Sequence, residues 1–232
     1  MSHQDLLKRI KDHSAVIGVI GMGYVGLPLV ITFADEGFAV IGLDVDPDKV
    51  ESLNDGTSYI RHIPSDSFSQ HVANGRLIAT ADFTALAGVD AILICVPTPL
   101  TGSREPDLSF VESTAQMIAP HLKVGHLVIL ESTTYPGCTE SLLKPILERS
   151  GLRSGNDFYL AYSPEREDPG NPKYETAHIP KVVGGDGVEA LKLATTLYDQ
   201  VVVQTVPVSS MDVAEAVKLT ENVFRSVNIA LV

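Results

Sequence analysis

Three glycines and one aspartate carry the first chemical signal. Gly21, Gly23 and Gly26 fall in the pattern G-x-G-x-x-G directly after an apolar, β-branched run, and Asp44 closes a second such run eighteen residues beyond Gly26. Glycines reach those spacings by chance in many loops, so context decides. Here a predicted strand leads into the first glycine and a helical pattern follows. Gly21 then permits a tight turn, Gly23 lets backbone approach a pyrophosphate, and Gly26 lets helix and strand pack closely, while the helix N-terminus offers N–H donors to phosphates. Met22, Tyr24 and Val25 complete the same cradle. A carboxylate at Asp44 accepts hydrogen bonds from ribose hydroxyls and repels a 2′-phosphate, which favours NAD over NADP. Lys49, five residues further on, either reaches the adenosine ribose or is a solvated helix lysine. FAD proteins share the glycine pattern, so the rest of the chain must identify the dinucleotide.

Other reactive side chains are sparse. Cys95 lies inside a predicted buried strand, a packing position, whereas Cys138 sits near a predicted helix start, where a thiolate is favoured. Neither has a second cysteine or a ligand-spaced histidine nearby, so no metal is expected. Lys218 and Asn222 stand four apart in a helical pattern and share one face. On pattern alone they read as a solvated stripe, and Glu165 with Arg166 as an ion pair on a polar loop.

The elements that must position these residues alternate. Strands are predicted at 15–20, 38–43, 77–80, 91–96 and 127–130, with helices at 24–36, 47–54, 108–119 and 139–149. Further strands are expected at 158–162, 181–183 and 201–206, with a helix over 188–198. This rhythm predicts an α/β fold of Rossmann-like, doubly wound type, with a mostly parallel sheet and helices on both faces. Two proline-containing stretches, 97–107 and 163–180, interrupt it after strand ends, the edge where open α/β sheets bind ligands. Residues 209–232 read as a helix with no terminating signal, which implies that the chain stops inside a longer helix.

Composition bounds the partners. The 232 residues are 44% hydrophobic, enough for one large α/β domain or two small ones. A formal net charge of −12 argues against nucleic acid and anionic membrane surfaces. No apolar run approaches the roughly 18 to 20 residues of a membrane span, and the polar start lacks a signal peptide's apolar core, so a cytoplasmic location is expected.

Five landmarks follow one another along this pattern: Gly21-Met22-Gly23-Tyr24-Val25-Gly26-Leu27-Pro28, Cys95-Val96-Pro97-Thr98-Pro99, Glu131-Ser132-Thr133-Thr134-Tyr135-Pro136-Gly137, Ser163-Pro164-Glu165-Arg166, and the helix bearing Lys218 and Asn222. From about Ser14 to its end the chain thereby resembles the UDP-glucose/GDP-mannose dehydrogenase family. The resemblance implies oxidation of a nucleotide sugar at C6, from alcohol to carboxylate, with two NAD and a cysteine that passes through a thiohemiacetal and a thioester. It makes Glu165 the catalytic glutamate and Thr133 the holder of an active-site water. Lys218 and Asn222 become donors to the oxyanions of thioester chemistry. It places Val96, Pro97, Thr98 and Thr133 around the nicotinamide half of NAD, and Glu165, Arg166, Lys218, Asn222 and Arg225 against the sugar substrate.

The family nucleophile belongs to a glycine-rich segment beyond the central helix, which excludes Cys138 from that role and lies outside this sequence. The expected organisation is an NAD-binding domain over 1–207 and the start of a central, dimer-forming helix over 208–232, without the UDP-binding domain. Such a chain binds NAD without completing the oxidation. Residues 162–171 and 222–231 resemble the branch acting on N-acetylated UDP-sugars, with UDP-N-acetylglucosamine first and its mannosamine epimer second, feeding polysaccharide synthesis. β-Hydroxyacid dehydrogenases share the glycine start and a helical lysine but lack Ser163-Pro164-Glu165, and a non-catalytic NAD-binding module is the other alternative. Val217, Val223, Phe224, Val227 and Leu231 are expected to bury against a second copy.

Overall fold

The structure, a computed structural model, describes residues 1–165 and 180–231. The chain opens with α1 (His3–Lys11), where the Ser2 hydroxyl accepts from the Asp5 amide and the Asp5 carboxylate accepts from the Ser2 amide. This reciprocal cap satisfies donors that the first helical turn leaves open. Strands and helices then alternate: β1 (Val16–Ile20), α2 (Gly26–Asp35), β2 (Ala39–Leu43), α3 (Pro47–Asn54), α4 (Ser69–Ala73) and β3 (Leu77–Thr80). The second half runs β4 (Ala91–Ile94), α5 (Ser109–Ile118), β5 (Leu127–Leu130), α6 (Lys144–Leu147), β6 (Tyr159–Tyr162), β7 (Lys181–Gly185), α7 (Val188–Tyr198), β8 (Thr205–Pro207) and α8 (Met211–Leu231).

The strands form one sheet in the order β3-β2-β1-β4-β5-β6-β7-β8. From β3 to β6 every pairing is parallel. Every residue of β4, β5 and β6 is buried, as continuous apolar strands covered on both faces must be. One apolar layer, with Leu6, Ile10, Val19, Phe33 and Leu193, lies on one face; Ile94, Val111, Leu147 and Leu160 belong to the layer on the other. Strand order reverses between β1 and β4, which opens a crevice beyond their carboxyl ends. No described helix is long and apolar enough to cross a membrane.

The expected alternation holds, with an unpredicted short helix, α4, between α3 and β3 and four further differences. Strand β7 pairs antiparallel with β6, Tyr162 opposite Gly184, so Lys181 overhangs the carboxyl edge of the sheet. Helix α2 begins at Gly26 rather than residue 24, because residues 23–25 are spent on the turn. The predicted helix over 139–149 is a π-type turn at Thr139–Leu143, four residues of α6 and a closing 3-10 turn. Pro145 is the cause: it has no N–H to donate, and its ring collides with a carbonyl of the preceding turn in a regular helix. The apolar run at 201–206 becomes strand only from Thr205. Val201 and Val202 instead donate to the Tyr198 carbonyl in the turn that closes α7, and their side chains fill the core.

Candidate functional site

A cleft of about 760 Å³ opens along the carboxyl edge of the sheet. One end is built by the β1–α2 turn. A Cβ on Gly21 would stand 2.8 Å from the Cys95 carbonyl oxygen, and one on Gly26 would stand 1.9 Å from the Gly21 carbonyl oxygen, so both positions are closed to any side chain. Above Gly23 nothing lies within 4 Å, so its backbone faces open space that a ligand can occupy. The α2 N-terminus carries no side-chain cap and no acidic residue in its first turn, as anion binding there requires. Asp44, buried just past β2, lines the same end. Its Oδ2 accepts from the Met22 amide at 2.8 Å and from Lys49 Nζ at 3.1 Å, while Oδ1 accepts from the Asp46 amide at 3.0 Å. These bonds hold the carboxylate against the glycine turn. Tyr59 adds a tie, its hydroxyl donating to the Met22 carbonyl at 2.5 Å. A dinucleotide fits this cradle: space where its pyrophosphate passes, and an acid where its ribose ends.

At the other end the loops after β4, β5 and β6 meet. Ser132 donates to the Val96 carbonyl at 2.7 Å and so joins the Pro97 wall to the Thr133 wall. Beneath them lies a charged cluster that pattern reading did not find. Lys181 Nζ pairs with Glu131 Oε2 at 2.7 Å and with Glu165 Oε2 at 3.5 Å, and the Tyr198 hydroxyl donates to Glu131 Oε1. Burial opposes the charge on Lys181, but the two carboxylates overcome it and hold the ammonium above its ordinary range. Lys218 enters from α8 and donates from Nζ to the Glu165 backbone carbonyl. Burial lowers its proton affinity, against the opposing pull of the Glu165 and Glu221 carboxylates.

The cleft brings together most of the residues singled out in the sequence. Gly21, Gly23, Tyr24, Val25, Asp44, Lys49, Val96, Pro97, Thr98, Thr133, Glu165 and Lys218 all line it. Met22 is buried beneath the turn rather than in its wall, and Gly26 is packed out of reach. Asn222 and Arg225 stand exposed on α8 and do not line the cleft, and Arg166 falls outside the described residues. Cys95 is core, as expected, with one edge on the cleft, and burial puts its thiol well above the ordinary value. Cys138 is buried and its thiol is pushed up to about 12, first by desolvation and then by Glu215. It is therefore no thiolate, in line with its exclusion as nucleophile.

The residues missed were Glu131, Lys181, Tyr59 and an apolar wall that includes Phe83, Phe110 and Met117. A lysine heading an apolar strand was a readable anomaly. Tyr59 sits in a stretch with no periodicity.

Residues 15–202 match the model of the UDP-glucose/GDP-mannose dehydrogenase family, NAD binding domain. The chain is 39% identical over 216 residues to the UDP-N-acetyl-D-mannosamine dehydrogenase of Pyrococcus horikoshii, covering 93% of this chain and 51% of that protein. To the UDP-N-acetyl-D-glucosamine 6-dehydrogenase of Pseudomonas aeruginosa it is 36% identical over 218 residues, again covering 93% and 51%. Among solved structures, the NDP-N-acetyl-D-galactosaminuronic acid dehydrogenase of Methanosarcina mazei superposes with a TM-score of 0.89 at 35% identity, over 100% of this chain and 51% of that one. The chain spans about half the length of the curated relatives it matches.

Proposed function

Because the chain belongs to the UDP-glucose/GDP-mannose dehydrogenase family and carries its NAD-binding domain, we propose that it is the coenzyme half of a nucleotide-sugar 6-dehydrogenase. Its substrate is a UDP-N-acetylhexosamine, UDP-N-acetylglucosamine first and the mannosamine epimer second, oxidised at C6 to the uronate for polysaccharide synthesis. The observation that carries the reading is one cleft with a dinucleotide cradle at one end and Thr133, Glu165 and Lys218 at the other. Relatives of both substrate classes match the chain at similar identity, in support of an N-acetylated sugar.

Bound NAD supplies the hydride acceptor. The chain's own residues do the rest of the work on this side of the sugar. Asp44 holds the adenosine ribose, and Val96, Pro97 and Thr98 flank the nicotinamide. The Lys218 ammonium stabilises oxyanions at C6, Glu165 moves protons to and from water, and Thr133 orients that water. Asn222 and Arg225 act only where a further segment folds over α8. Residues 1–207 form the coenzyme domain in this reading, and 208–232 begin the helix on which two copies pair, in the cytoplasm. Neither cysteine of the chain suits the nucleophile, given their burial.

The test is stoichiometric. The enzyme carrying this chain, given UDP-N-acetylglucosamine or its epimer and excess NAD, is expected to form two NADH per sugar consumed. One NADH, or none with either sugar, rejects the reading.

A further inference from the structure

Helix α8 meets the β5 loop through one side chain that the reading above does not use. Glu215 is wholly buried. Its Oε1 accepts from Thr134 Oγ1 at 3.2 Å, the Thr139 amide at 2.9 Å and Thr139 Oγ1 at 2.7 Å, and its Oε2 accepts from the Gly137 amide at 2.6 Å. All four donors lie in the segment that starts beside Thr133. A buried carboxylate is costly unless its lone pairs are filled, and these are filled from one segment, at least 76 residues away in sequence. The helical turn at Thr139 has no local side-chain cap, so its amide is satisfied by a residue of another element. That residue stands one turn before Lys218. Met211 and Ala214 pack the same end of α8 by apolar contact, which is non-directional; the four hydrogen bonds fix its rotation.

We propose that Glu215 is a positioning residue, locking α8 to the Thr133-bearing loop so that the Lys218 ammonium points into the cleft beside Glu165. The proposal rests on the dehydrogenase reading for its purpose but is tested without turnover. The pH titration of lysine side-chain nitrogens is followed by ¹⁵N NMR, with the Lys218 signal assigned by its loss in Lys218→Arg. In Glu215→Gln the amide group confronts N–H donors, α8 turns, and Lys218 enters water. Its titration is expected to shift to higher pH, as burial no longer opposes its charge, while Lys192 on α7 serves as the unshifted reference. Simple deletion of a negative charge shifts Lys218 the other way, so the sign separates the two causes. Should Glu215→Gln fail to fold, Thr139→Val removes one bond at nearly constant shape and is expected to move the same signal less. A Lys218 titration identical to wild type in a folded variant, even with a lowered Tm, overturns the proposal and leaves Glu215 a helix cap. Calorimetry of the unmutated chain with NAD stands apart: no binding would reject the coenzyme reading and leave the Lys218 result untouched.

Discussion

His126 illustrates what burial does to a single titratable group away from the cleft. Desolvation, followed by the Lys123 ammonium, holds it down to about 4 against an ordinary 6.5. The folded protein therefore binds fewer protons than the unfolded chain between those values, and stability falls as pH drops from 6.5 toward 4. The span corresponds to about 3 kcal/mol as an upper figure. His126→Asn, whose side-chain oxygen can take over the Lys123 amide that Nδ1 accepts at 3.1 Å, is expected to flatten that part of the curve. Urea titrations at stepped pH check it; equal slopes in both proteins would exclude His126 as the cause. At this scale the sequence was most legible where a residue type is demanded by local backbone. Gly21 and Gly26 answer to one tight turn whose glycine spacing is visible in the chain, and Asp44, at the end of the next strand, accepts from the Met22 amide of that turn. Lys181 and Glu131 answer to each other across 50 residues, through a strand whose direction no periodicity encodes, and so escaped notice.

Among elements, α8 is the least self-sufficient. Met211, Ala214 and Glu215 are buried and Val217 packs on the domain, yet Leu219, Val223, Phe224, Val227 and Leu231 are exposed, Phe224 by 70% and Leu231 by 80%. Four of these recur every fourth residue and so form one stripe, the pattern of a helix that lacks its partner. In line with the pairing proposed above, light scattering of the chain is expected to give twice the monomer mass, and Phe224→Glu to return it to the monomer. A wild-type monomer at high concentration counts against pairing on this helix. Element type followed well from apolar spacing, whereas element ends did not. Pro145 changed the bonding of an expected helix along its length without breaking its backbone, and Val201 and Val202 showed that an apolar β-branched pair also serves to plug a core from a turn. Strand direction at β7 depends on which edge the chain returns from, and hydrophobicity is blind to that.

Over the whole molecule, charge and architecture agree. A net −12 is spread over a fold whose cleft sets Lys49 and Lys218 beside Asp44 and Glu165, with Lys181 buried beneath between Glu131 and Glu165, so each acid that faces the cleft has a cation near it. The doubly wound, mostly parallel sheet was legible because alternating strands and helices demand parallel crossovers, whereas the strand order, and with it the point of reversal, is set by packing that alternation leaves open. The far wall of the site was only half legible, since it needs α8 and β7 brought to one edge by tertiary packing. The open space over Gly23 has a practical consequence. Its two sister glycines are demanded by backbone carbonyls packed against them, of Cys95 and of Gly21, but this one is kept bare for a guest. Gly23→Ala should therefore yield a molecule with the parent's melting temperature that no longer gains heat resistance when NAD is added. Thermal scans with and without coenzyme read both quantities, and an unaltered ligand-induced rise would mean the guest takes another route. Such a ligand-blind twin offers a matched baseline against which any effect of occupancy can be weighed.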